Sequence, residues 1–248
     1  MENQPVFGLI IVGDEILSGK RTDRHLPFAI ELLNRYGHEL SWVSIVGDQY
    51  EILRDCLQAS MSKSDIVFSF GGIGATPDDI TRQCAADAAG TKLERHKEAA
   101  ALINNRFGHD TTDRRLQMAD LPSGATLIPN PVNQVAGFSL DNHHFVPGFP
   151  QMAHPMLEWV MQKKYAKLKR AADLEKICVI KNSPESELIP TMKSILADYP
   201  AIRLSSLPST QKDGIVELGI KGRKIDVKDA YKALTSALSA GNHDWQHK

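Results

Sequence analysis

Three glycine-bearing segments hold the residue types that could do chemistry. The longest is Gly71-Gly72-Ile73-Gly74-Ala75-Thr76-Pro77-Asp78-Asp79-Ile80-Thr81. Gly71, Gly72 and Gly74 open backbone angles closed to other residues and let main-chain N–H groups approach a ligand. A helix starting near Asp79 would aim its N-terminus at the same place, where anions are favoured. Thr76 adds a hydroxyl donor. The segment suits a phosphate-bearing ligand. It lacks the Lys-Ser/Thr of a P-loop and the GxGxxG spacing of a dinucleotide fingerprint. The other two segments are Gly13-Asp14-Glu15-Ile16-Leu17-Ser18-Gly19 and Gly47-Asp48. If all three meet, Asp14, Glu15, Asp48, Asp78 and Asp79 converge. Carboxylates would repel a phosphate unless a divalent cation lay between them, and magnesium held by one or two carboxylates plus ligand phosphates is the usual solution. The plainer alternative is turn chemistry, since Gly-Asp is a common turn pair and Asp79 suits a helix N-cap.

Convergence needs a scaffold, and the hydrophobic pattern supplies one. Residues 6–12 form a short, near-continuous apolar run, which predicts a strand buried on both faces. Residues 24–36 and 50–61 carry apolar stripes at helical spacing, with strand-like segments at 39–46 and 65–70. The last of these runs into the glycine turn. Alternating strands and helices predict βαβ units and a mainly parallel sheet, whose carboxyl edge is where ligands bind. Residues 79–89 and 94–107 read as helices, 111–119 as a short helix and 121–133 as loop with one short strand. Residues 135–140 and 143–146 read as a hairpin, and 151–165 as a helix. A basic run at 163–170 reads as a helix end or linker. Beyond it, strand, helix, strand, strand and helix segments at 175–180, 186–196, 202–207, 216–220 and 227–238 predict a small α+β domain of βαββα order. Residues 241–248 are expected to fray.

Other reactive residues are less organised. His143 and His144 are adjacent, so in a strand they point to opposite faces and make a poor metal pair. His25 and His154 lie next to candidate ligand loops. Cys56, Cys84 and Cys178 are far apart, which argues against a disulfide framework or zinc knuckle. No GxSxG motif suggests nucleophilic catalysis. The chain has 248 residues, 42% hydrophobic and 24% charged, with a formal net charge of -1. Without a basic excess, nucleic acid is not the expected partner. No run approaches the ~20 apolar residues that span a bilayer, so a soluble, cytoplasmic protein without membrane contact is expected.

Residues 10–19, then Gly71-Gly72-Ile73-Gly74 with Asp78-Asp79-Ile80-Thr81, then Pro147-Gly148-Phe149-Pro150, resemble the molybdopterin-binding MoaB/Mog family. Their order and spacing are most similar to the N-terminal part of CinA, the competence/damage-inducible protein. The likeness covers about residues 5–165. It implies a three-layer α/β sandwich with a mostly parallel sheet over residues 1–168. Residues 171–240 resemble the small KH-type module of CinA proteins, followed by the tail. The resemblance implies a short form without the C-terminal amidohydrolase domain, so nicotinamide-nucleotide deamidation is not expected. By position, Asp48 and Asp79 correspond to the family's metal and catalytic aspartates. Gly13, Asp14, Glu15, Gly71, Gly72, Gly74, Thr76, Asp78, Pro147 and Gly148 are the expected ligand-binding residues. The implied activity is metal-dependent (magnesium, manganese or cobalt) hydrolysis of an ADP-ribose-like nucleotide pyrophosphate. The alternatives are molybdopterin binding or adenylyl transfer in molybdenum-cofactor synthesis, and ligand binding without catalysis. The implied partners are a small nucleotide or pterin and further copies of the chain, as a homo-oligomer. Three departures stand out: Ile73 where the family often has Thr, Arg24-His25 where CinA relatives often have Thr-Asn, and Gln151-Met152 after Pro150.

Overall fold

The computed structural model describes residues 5–209 and 214–248. The chain divides into two compact units, Met1–Arg170 and Ala171–Lys248. In chain order the first unit contains β1 (Phe7–Val12), α1 (Asp14–Leu17), α2 (His25–Arg35), β2 (Leu40–Val46), α3 (Tyr50–Met61), β3 (Ile66–Phe70) and α4 (Thr81–Ala88). Then come β4 (Leu93–Arg95), α5 (Lys97–Phe107), α6 (Asp113–Leu116), β5 (Asp120–Pro122), β6 (Thr126–Ile128), β7 (Gly137–Leu140), β8 (His143–Val146) and α7 (Pro150–Lys164).

Six of these strands form one sheet in the order β2-β1-β3-β8-β7-β6. β1 runs parallel to both β2 and β3, and β3 parallel to β8, while β7 is antiparallel to its two neighbours. β1 is buried along its whole length because each face meets a different core. Phe7, Leu9 and Ile11 pack with α2 and α7, whereas Ile10 and Val12 pack with α3, α4 and α5. The result is the three-layer sandwich with a mostly parallel sheet. His143 and His144 do point to opposite faces. His143 Nε2 lies 2.9 Å from Ser60 Oγ, on the α3 side, and His144 Nε2 lies 2.7 Å from Tyr165 Oη at the end of α7.

The structure revises several local expectations. The helix expected from 79 begins at Thr81, with Ile80 at the N-cap position, so Asp78 and Asp79 stay in the loop. Residues 14–17 wind into a short helix inside what read as a plain loop. β4 and β5 pair as a two-stranded ribbon that three-residue strands gave no periodic signal for. The second unit contains β9 (Leu174–Lys181), α8 (Glu185–Asp198), β10 (Arg203–Pro208), β11 (Ile215–Gly222), α9 (Lys224–Ala240) and β12 (Asp244–His247). The expectation of a frayed tail is overturned, because β12 pairs antiparallel with β9 from Asp244↔Lys181 to His247↔Cys178. Trp245 packs on the core and Tyr231 Oη lies 2.9 Å from His247 Nδ1, which anchors the polar segment. The order becomes βαββαβ, with an antiparallel sheet β10-β11-β9-β12, a split βαβ arrangement.

Two predictions follow from this packing. An added Cβ at Gly8 would sit 2.1 Å from Trp42 Cζ2, and Trp42 is fixed by donating Nε1–H to Asp65 Oδ2 at 2.8 Å. Gly8→Ala should therefore destabilise the first unit by about 1–3 kcal/mol, read as a lower urea midpoint. Burial also holds His143 down to about 4 and His144 down to about 3, so both stay neutral in the fold. The unfolded chain takes up those protons first. Their stabilising effect is complete above the ordinary histidine value near 6.5 and is lost as pH falls from there toward about 4 and 3. The urea midpoint should fall from about pH 7 to about pH 4.5, with up to about 1.4 kcal/mol per pH unit from each histidine at full slope. His144→Gln should flatten that slope.

Candidate functional site

Strand register decides which loops meet. Ile11 is level with Ile45 of β2 and with Phe70 of β3, and Phe70 is level with Val146 of β8. The four parallel strands therefore end in one row. The segments starting at Gly13, Gly47, Gly71 and Pro147 all leave the same carboxyl edge. Because β2 and β3 lie on opposite sides of β1, the chain reverses direction across the sheet there, the switch point at which sheets of this kind bind ligands.

The glycine turn is held against β1 by backbone proximity. Gly71 has φ 103°, and a Cβ there would lie 2.4 Å from the Val12 carbonyl oxygen. Its N–H donates to Val146 O at 3.0 Å, and Gly148 approaches its other side. Thr81 then closes the turn. Its hydroxyl donates to Gly71 O at 3.0 Å and its N–H donates to Gly72 O at 2.9 Å. That N–H is thereby committed to the turn and is not a free donor for an anion. Arg82, buried in the first turn of α4, donates to the carbonyls of Gly74 at 2.7 Å, of Asp120 at 3.2 Å and of Gln117. Burial draws the Arg82 guanidinium below its ordinary value, opposed by the charges of Asp120 and Asp79. Sequence reading missed Arg82, since an arginine on a helix reads as solvated. Its one signal was the small residues Cys84, Ala85 and Ala86 that follow, all of them buried.

The five carboxylates fall into two groups. Asp14 N–H donates to Asp48 Oδ2 at 2.9 Å, and Asp48 N–H donates to Asp14 Oδ1 at 3.2 Å. This reciprocal pair joins the β1 and β2 loops, alongside Gly13 N–H, which donates to Val46 O at 3.0 Å. Burial pushes the half-buried Asp48 carboxyl up. The N–H of Asp14 opposes that shift, and the charges of Asp14, Glu15 and Asp78 add to it. Asp78 is thus electrostatically part of the Asp14–Asp48 group. Asp79 faces inward on its own turn. Its Oδ2 accepts the Thr76 N–H at 2.8 Å and the Thr76 hydroxyl, and Asp79 N–H donates to Thr76 O at 3.0 Å. It is therefore not an N-cap, and the Thr76 hydroxyl is already engaged. Ile73 packs against the core beneath the turn.

His25 supports the fourth loop. Its ring stacks on Phe70 with centroids 4.3 Å apart, and its Nε2 lies 3.1 Å from Gly148 O. A carbonyl only accepts, so Nε2 carries the proton, and burial pushes the His25 pKa down. His154 stands edge-on to it at 5.4 Å. Asp23 positions the histidine by accepting the N–H groups of His25 and Leu26 at 2.9 and 2.8 Å. Among the described residues, no three His, Cys, Asp or Glu side chains gather as a ready-made metal cage. No helix among them is long and apolar enough to cross a membrane.

The site's geometry can be set beside known proteins. Residues 8–167 match the family described as "Probable molybdopterin binding domain". A protein of Pyrobaculum calidifontis is 26% identical over 212 residues, covering 82% of this chain and 81% of the relative. A CinA-like protein of Anaeromyxobacter dehalogenans is 30% identical over 200 residues, 77% of this chain but only 48% of the relative, so the chain matches about half of that protein. The crystal structure of the protein CinA with unknown function from Thermoplasma acidophilum superposes with a TM-score of 0.59 at 29% identity, over 64% of this chain and 97% of that one. The chain belongs to the molybdopterin-binding domain family of MoaB/Mog type, and within it is CinA-like.

Proposed function

We propose that the first unit binds a nucleotide or pterin through its phosphates at the Gly71 turn and hydrolyses a nucleotide pyrophosphate of the ADP-ribose kind. The observation that carries this reading is the Asp14–Asp48 pair beside the turn, each carboxylate accepting the other's backbone N–H, with Glu15 and Asp78 adding negative charge. The donors fit a hard divalent cation, because all are oxygens and their crowded charge is what a cation relieves. Asp48, with Asp79 as the second family position, would hold magnesium, manganese or cobalt. Such a cation would neutralise phosphate charge and acidify a bound water. The chain's own part is positional. Gly71 and Gly72 bring main chain close to the phosphates. Thr81 and Arg82 keep the turn from shifting, and Asp79 locks Thr76.

A second reading is binding without turnover, either as a pterin binder with or without adenylyl transfer or as a ligand sensor. It is favoured by Asp79, whose Oδ2 already takes two hydrogen bonds from Thr76.

The test uses the purified chain with ADP-ribose and each of the three metals. Hydrolysis should be metal-dependent, and Asp48→Asn should lower kcat at least about 100-fold, with Asp79→Asn also impaired. No turnover with any metal rejects the hydrolase, and turnover untouched by Asp48→Asn rejects Asp48 as the residue that holds its metal. Pterin binding without ATP consumption would then leave binding alone.

A further inference from the structure

The row that ends the sheet extends past the four loops already described. Phe138 is paired with Phe145, so Gly137 stands level with Val146, and Ile128 of β6 is paired with Gly137. Residues 129–136 therefore emerge at the same edge as the glycine turn. With strands about 4.8 Å apart, this fifth loop starts roughly 10–15 Å from Gly71. Buried Asn130 builds it. Its Oδ1 accepts Val132 N–H at 3.0 Å, and its Nδ2 donates to Val135 O at 3.1 Å. The loop holds Gln134 at φ 62°. Residues other than glycine rarely occupy that left-handed region, and where they do they cluster at binding sites. Asn133 Nδ2 donates to Met152 Sδ at 3.4 Å, and Met152 N–H donates to Phe149 O at 2.9 Å. The loop is thus tied to the segment that carries Phe149. Two large apolar side chains stand out into solvent here, Val132 at 53% and Phe149 at 50% exposure.

An exposed aromatic ring on the rim of an anion cradle offers a face to a flat ligand ring. We propose that Phe149 and Val132 form the ring-binding half of this site. They stack the heteroaromatic ring of the ligand whose phosphates lie at the glycine turn, while Gln134 supplies an amide for the ring's polar edge. This rests on the nucleotide-or-pterin reading above and deepens it. Strand spacing sets the geometry: Phe149 follows β8, one strand along the edge from the glycine turn, and the loop with Val132 and Gln134 lies two to three strands along it.

Calorimetry on the full chain tests it with three probes: ADP-ribose, a phosphorylated pterin, and inorganic pyrophosphate, which has no ring. Phe149→Ala should weaken a ring-bearing probe at least about tenfold and leave pyrophosphate affinity unchanged. The probe that loses affinity identifies the ring as adenine or pterin. Val132→Ser should act in the same direction, more weakly. Gln134→Gly relieves the left-handed backbone, so it should raise the melting temperature while weakening the ring-bearing probe. Equal loss for pyrophosphate, or no loss for either ring-bearing probe, overturns the proposal. If the unmodified chain binds none of the three, the parent reading fails, and the ring subsite fails with it.

Discussion

Gly71 lies with no side chain against the end of β1, and a Cβ there would come within 2.4 Å of the Val12 carbonyl. This contact sets the depth of the glycine turn relative to the Asp14 loop. Thr81 and Arg82 then fasten the turn from the side of α4, through the carbonyls of Gly71, Gly72 and Gly74. The direction of those bonds matters. Carbonyl oxygens turned inward toward Thr81 and Arg82 cannot face an incoming phosphate, which would repel them. The same buried arginine also receives the inward charge of Asp79, so negative charge on this side of the turn is balanced within the protein.

On the Asp14 side of this edge the balance is different. Asp14 and Asp48 face each other's backbone N–H groups, with Glu15 and Asp78 near enough to raise Asp48. The charges that act on Asp48 are those of Asp14, Glu15 and Asp78, all negative. The edge therefore has one half in which charge is settled internally and one half in which it is concentrated. A ligand that brings both a phosphate and its own counter-cation answers that asymmetry, whereas a bare anion does not. His25 adds a further support: burial disfavours charge on the imidazole, and its Nε2 holds the Gly148 carbonyl. The Arg24-His25 departure from CinA relatives thus packs inward through His25 on Phe70, beneath the site.

The second unit shows how far short polar segments depend on context. Residues 244–247 carry no apolar alternation, yet they complete the sheet beside β9 because Trp245 reaches the core and His247 meets Tyr231. An edge position makes this possible. Only one side of the strand needs partners, and its other side stays with water. In the first unit the three-residue strands β4 and β5 are similar, since backbone pairing and an Arg95–Asp120 ion pair hold them without a periodic core face.

The sequence by itself determined the alternation of β1, β2 and β3 with helices, the burial of β1 on two faces and the places of the glycine turn and its aspartates. Each of those depends on local composition: continuous apolar runs, helical stripes and glycine clusters. It also carried enough ordered motif, from Gly13-Asp14-Glu15 to Pro147-Gly148, to mark the family. Tertiary structure decided what those residues face. Asp79 reads in sequence as a cap or a metal ligand and is found bonded to Thr76, because α4 begins two residues later. Arg82 reads as solvated and is buried, because α4 packs between β5 and the turn. Residues 129–133 read as part of a loop with one short strand and 135–136 as the start of a hairpin strand, whereas β7 begins at Gly137, and only the antiparallel return of β7 and β6 brings residues 129–136 to the ligand edge. Strand order and register are set by long-range pairing, and no local pattern encodes which edge a distant loop will share.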